Sequence, residues 1–190
     1  MPHEAVDGWS MRVEVFALSA TDDTLMFRHL TRDVPLGQSP DDAALELAAT
    51  DPEEPGCVCH STSWRLHAPD VLVLTYAALP DSDPRGAVPV VLEPIVAAGD
   101  STCPQPEDLT VQSVATHAVR HLALLGREDP TIQECVRHAP DLWRCIMETA
   151  GRATTIADSK DSEGDDFGQR RFTSLAATGR TRETANIAAS

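Results

Sequence analysis

Aromatic residues are scarce in this chain: three Trp, one Tyr and four Phe among 190 residues. Phe167 and Phe172 lie in a polar C-terminal stretch, so a core has to be assembled mainly from Val, Leu and Ala. Cations are scarce too. Fifteen Lys and Arg face thirty Asp and Glu, a formal net charge of −15. That imbalance works against binding nucleic acid or anionic membrane, which needs clustered cations. No run approaches the roughly 18 apolar residues that span a bilayer. A secretory signal is not evident either, because the apolar stretch Val13–Ala20 is interrupted by Glu14. Five cysteines, an odd number, do not make a secreted disulfide framework. A cytoplasmic location is therefore expected, with no nucleic-acid or membrane partner. Glycine-rich phosphate loops, dinucleotide fingerprints and nucleophile elbows are also missing.

The charge that is present is unevenly placed. From Gly151 to Ser190 six bases balance six acids, so the whole −15 falls on Met1–Ala150. The neutral end is rich in Ser, Thr, Gly and Asp, and its sparse apolar residues cannot offset the entropy of ordering it. The expectation is one domain over residues 1–153 and a disordered tail over 154–190. Arg170-Arg171-Phe172-Thr173-Ser174 in that tail has the wording of a basophilic kinase site.

Within the body, Met11–Leu18 reads as a strand and Thr24–Leu30 as its hairpin partner across Thr21-Asp22-Asp23. Ser39-Pro40-Asp41-Asp42 opens a helix with a capping Ser, a Pro at the first position and acids near the positive end. That helix, Pro40–Thr50, turns Ala43, Ala44, Leu47 and Ala48 to one face. Cys57–His67 and Val71–Leu79 flank Ala68-Pro69-Asp70 as a second hairpin. Ala87–Val96 holds Pro89 and Pro94, which suits a sheet edge. Leu109–Gly126 is a strongly amphipathic helix with Gly126 as its expected C-terminal cap. Asp129-Pro130 opens another helix to about His138, and Pro140–Thr149 makes a third. Strands first and helices last predict an α+β fold: a mixed or antiparallel sheet with a central hairpin, packed by one helix from the N-terminal half and two to three from the C-terminal half. Trp64 and Tyr76 are expected to be anchored near the second hairpin. Leu74 is expected under the helix Leu109–Leu125.

Three groups of residues suggest chemistry. Cys57-x-Cys59-His60 offers the thiolates and imidazole that zinc prefers, but a strand sends Cys59 and His60 to opposite faces. Core packing explains such cysteines equally well. The Cys57–His60 cluster has His67, Cys103, Cys135 and His138 available at a distance. His117 and His121 stand one helical turn apart and can share an ion, with Cys135 and His138 as the conceivable partners. The Glu of a metalloprotease pattern is replaced there by Ala118. The plainer reading leaves His117 exposed and lays His121 over the packed face. Asp81 and Asp83 follow the most apolar strand, where paired carboxylates can hold Mg²⁺. Pro80-Asp81-Ser82-Asp83-Pro84 is equally the wording of a solvent turn.

The order of strand, strand, Ser-Pro helix and then a hairpin carrying His60–Trp64 and Val71–Leu79 resembles Nudix-type domains. It is also similar to small uncharacterised proteins of GC-rich bacteria. The resemblance implies a helix whose Arg-Glu-x-x-Glu-Glu core binds Mg²⁺. Here that helix offers Asp41, Asp42 and Glu46, with no Arg-Glu and no Glu-Glu pair. The expectation is therefore a non-catalytic domain, a degenerate Nudix-like fold without a resident cofactor, that binds a small molecule or a protein. The alternatives are a divergent Mg²⁺-dependent phosphohydrolase using Glu46, Asp81 and Asp83, or a small metal-binding protein using Cys57, Cys59, His60, His117 and His121.

Overall fold

A computed structural model of the chain describes residues 9–67, 70–93 and 109–161. β1 (Ser10–Thr21) and β2 (Thr24–Asp33) form a hairpin, followed by α1 (Pro40–Ala48), the hairpin β3 (Val58–His67) and β4 (Val71–Leu79), and a short β5 (Val88–Pro89). Three helices close the described chain: α2 (Val111–Glu128), α3 (Pro130–His138) and α4 (Pro140–Asp161). The strands make one sheet in the order β3-β4-β1-β2-β5. β1 pairs parallel with β4, and the other neighbours pair antiparallel. The fold is α+β with a mixed five-stranded sheet. Among the described residues no helix is long and apolar enough to cross a membrane.

Local chemistry explains these elements. Thr21 pairs with Thr24, so the first turn has only Asp22 and Asp23 between the strands, both at positive φ. That is the two-residue turn whose twist matches its strands, and Asp tolerates it. The parallel pairing of β1 with β4 needs a crossover, and α1 lies within it. α1 begins at Pro40 as expected, although Ser39 makes no side-chain cap. Asp129 ends α2 and starts α3 at once: its side chain accepts from the backbone N–H groups of Thr131 and Ile132.

Alternation divides the sheet into two faces. On one face Phe16, Leu18, Leu25, Phe27, Ala77 and Leu79 pack beneath α2 and α4, with Trp143 and Ile146 buried among them. The other face carries Val13, Val15, Tyr76 and Ala78 beneath Ala43, Ala44 and Ala48 of α1. Tyr76 is anchored as expected, its hydroxyl donating to Asp41 at 2.6 Å.

Several expectations need correction. Leu74 belongs to the α1 face and packs with that smaller cluster, not under α2. Trp64 is not anchored: it is 64% exposed, because it stands on the edge strand and α1, at nine residues, is only about 14 Å long. Gly126 is no cap but an interior, buried residue of α2. A Cβ there would lie 2.9 Å from Cζ3 of Trp143 and 2.6 Å from Cε of Met147, so glycine permits the close approach of α4. α4 is described from Pro140 to Asp161. Residues 162–190, including the kinase-like wording at Arg170–Ser174, lie outside the described residues, as do Cys103 and the turn residues 68–69.

Candidate functional site

Each of the four long strands contributes a polar side chain to one cluster on the face that α2 and α4 cover farther along. Glu14 of β1 is buried at 2% exposure, inside the otherwise apolar run Val13–Leu18. Thr75 is its register neighbour on β4. Arg65 of β3 reaches across β4 and grips Glu14 with both terminal nitrogens, Nη2 to Oε2 at 2.7 Å and Nη1 to Oε1. Its Nη1 also donates to Thr75 Oγ1 at 3.1 Å, and that hydroxyl donates to Glu14 at 2.6 Å. His29 of β2 lies 3.1 Å from the same carboxylate through Nε2, which must be the donor because an ionised Glu only accepts. The His29 ring stacks on Phe16 at 4.9 Å.

Burial alone would push the Glu14 carboxyl up; hydrogen bonds from Arg65, His29 and Thr75 outweigh it and bring it down to about 2. A carboxylate held that firmly ionised is a poor proton acceptor near neutral pH, where a general base needs a pKa close to the working value. The quartet ties four strands together. Sequence reasoning missed it, although an acid inside an apolar strand was the available signal.

Beside it, His60 of β3 stacks on His121 of α2 at 5.4 Å, and His121 lies 6.4 Å from His117. Burial lowers both His60 and His121, which favours their neutral forms. His117 is exposed and His121 half-buried, as the plainer reading has it. Cys59 and His60 point to opposite faces, since Cys59 packs with the α1 cluster. Burial drives the Cys59 thiol to about 12. Cys57 lies before β3, beside Glu54 and Cys135. The five proposed ligands Cys57, Cys59, His60, His117 and His121 are thus split between locations. No cluster of three or more His, Cys, Asp or Glu suited to a metal forms among the described residues.

The three proposed catalytic carboxylates do not converge either. Asp81 accepts both prongs of Arg28 at 2.7 and 2.6 Å, and its Oδ1 accepts the backbone N–H of Asp83. Asp83 is bound by Arg85, whose hydrogen bond lowers it to about 2. Glu46 accepts from Arg32 at 2.9 Å and from Gln38 at 3.1 Å. Arg32 and Arg28 stand four residues apart on β2, a separation of about 13 Å along a strand. Each acid is committed to its own arginine, which sequence spacing alone does not reveal.

Among the described residues, the α1 face is incompletely covered towards Trp64. Register places Trp64 beside Leu74 and Leu66 beside Leu72, with Met11 next to Leu72 across β1 and β4. Trp9, continuing the alternation of β1, is 66% exposed. The four aliphatic residues of this strip are half-buried and Trp64 stands out from it. Elsewhere, a hollow of about 330 Å³ between the β1–β2 turn and α4 is lined by Ala20, Asp22, Asp23, Asp141, Arg144 and Cys145. It offers little apolar wall.

Among the described residues this is an α+β protein with Trp64 exposed on one face of a mixed sheet. No protein-family model matches the chain, and a comparison with curated proteins finds no match.

Proposed function

We propose that the chain is a non-catalytic binding domain whose partner is a polypeptide docking on the strip Trp9–Met11–Leu72–Leu74–Leu66–Trp64. The observation that carries this reading is the exposure of two Trp residues, 66% and 64%, alongside half-buried Met11, Leu66, Leu72 and Leu74. Monomers seldom leave large apolar patches open without use, and Trp is the residue most enriched where binding energy concentrates. The strip is open rather than concave, which suits a polypeptide better than a small molecule. The acidity of the body favours a partner with a basic rim, because complementary charge speeds encounter and orients docking.

A display library of natural protein fragments, screened in dilute chain, tests the reading. Enriched peptides should combine apolar side chains with Lys or Arg, and Trp9→Ser should weaken them about thirty-fold, the loss of one strong anchor. Enriched peptides that bind the Trp9→Ser variant equally well would refute the surface. Turnover of a nucleotide-sugar with Mg²⁺ that vanishes in Glu46→Gln would replace the reading with a hydrolase.

A further inference from the structure

We infer that Cys57 and Cys135 are an oxidation site, at which a hydroperoxide joins the two in a disulfide that ties α3 to the entrance of β3. The pair is 78 residues apart in sequence, and Cys135 Sγ lies 3.8 Å from the carbonyl oxygen of Cys57. Covalent geometry then holds their Cα atoms within about 9 Å of each other. A shift of about 2 Å at most reaches the outer end of the ~4.4–6.8 Å range that disulfides span. Both segments can give that much: Cys57 ends the loop between α1 and β3, and α3 has no buried residue. Loop and helix also touch beside the pair, since a Cβ on Gly56 would lie 2.8 Å from Cβ of His138. Among the described residues Cys57 and Cys135 are both part-exposed, whereas Cys145 is buried. Cys59 packs with the α1 cluster, its thiol driven to about 12 by burial.

One hydroperoxide balances the chemistry. The Cys135 thiolate attacks the O–O bond and becomes a sulfenic acid, while the other oxygen leaves, protonated, as an alcohol or water. The Cys57 thiolate then attacks that sulfur. The S–S bond forms as the S–O bond breaks, and the departing hydroxide takes up a proton to leave as water. Two thiols have lost two electrons and two protons, and the peroxide has accepted both. Burial and the neighbouring Glu54 raise the Cys57 thiol, which makes Cys135 the first to react. In the second step the partner sulfur is already at hand, so proximity offsets the scarcity of the Cys57 thiolate. Before oxidation α3 rests on α2 and α4 without a buried side chain of its own. The new bond fastens that helix to the sheet and closes a long loop of the unfolded chain.

Peptide mapping of the full chain after treatment with hydrogen peroxide, with free thiols alkylated before digestion, is the test. The expected result in the monomer fraction is a peptide pair linked through Cys57 and Cys135 that dithiothreitol separates. The oxidised chain should melt about 5–15 °C above the reduced one, the gain from closing a loop of that length. Dithiothreitol should reverse the rise, and Cys57→Ser and Cys135→Ser should each abolish it. The mapping is done on the wild-type chain, so it stands whether or not a variant folds. A link through Cys59, Cys103 or Cys145 in place of this pair would overturn the inference. So would a sulfinic acid at Cys135 with Cys57 still free, or an oxidised chain that melts no higher than the reduced one.

Discussion

Glu14 places a charge where the chain has little water to solvate it, and three neighbours hold it there. Breaking such a set is worse than never having had it, because a lone buried charge remains. Arg65→Ala should therefore cost about 3–5 kcal/mol in urea unfolding. The pH dependence has a definite sign. The carboxyl is lowered from 4.5 to about 2 on folding, so its stabilisation is complete above pH 4.5 and is lost as pH falls from there towards 2. A shift of that size corresponds to about 3 kcal/mol. Unfolding free energies measured from pH 5 down to pH 2.5 should fall more steeply in the wild type than in Glu14→Gln. Equal slopes would mean that Glu14 is not held ionised as described.

At the scale of elements, the helix pair α2 and α4 depends on a glycine. Gly126→Ala would normally strengthen a helix by about 1 kcal/mol, yet here the added carbon meets the rigid Trp143 ring. A net loss of about 1–3 kcal/mol is expected from overpacking, and denaturant unfolding would register a gain instead if α4 stood farther away. The His60–His121 contact joins α2 to β3. Both rings are lowered from 6.5 by burial, so their neutral packing stabilises the fold above that value and weakens as pH falls through and below it. His121→Phe should flatten the stability profile between pH 7 and pH 5.5, a window distinct from that of Glu14.

Much of this level was legible in the sequence. β4 and α3 occupy the expected residues, and the Asp22-Asp23 turn was visible in its wording. These elements are fixed by local chemistry: alternation, proline at a helix start, Asp at a capping position. Gly126 was misread because a glycine late in a helix serves equally to cap it or to admit a neighbour, and only the position of Trp143 decides. Trp64 was misread because alternation gives the face of a strand but not whether anything covers that face.

For the molecule as a whole, the helices are unequally shared. Among the described residues α2 and α4 cover one sheet face, α3 packs on those two helices, and the nine residues of α1 lie on the other face. Among the described residues singled out from sequence for chemistry, His60, His117 and His121 come together, while Asp81 and Glu46 are taken up by Arg28 and Arg32. Single-sequence spacing carries no record of such contacts between elements. The surface that remains is apolar and aromatic, and its role as a docking site is the central claim. The most direct test pairs two readouts on one variant, Trp9→Ser: peptide affinity and unfolding free energy. The account predicts an affinity loss of about thirty-fold with stability changed by less than about 0.5 kcal/mol, the usual range for an exposed position. Unchanged affinity, or a stability loss large enough to explain the weaker binding, would contradict it.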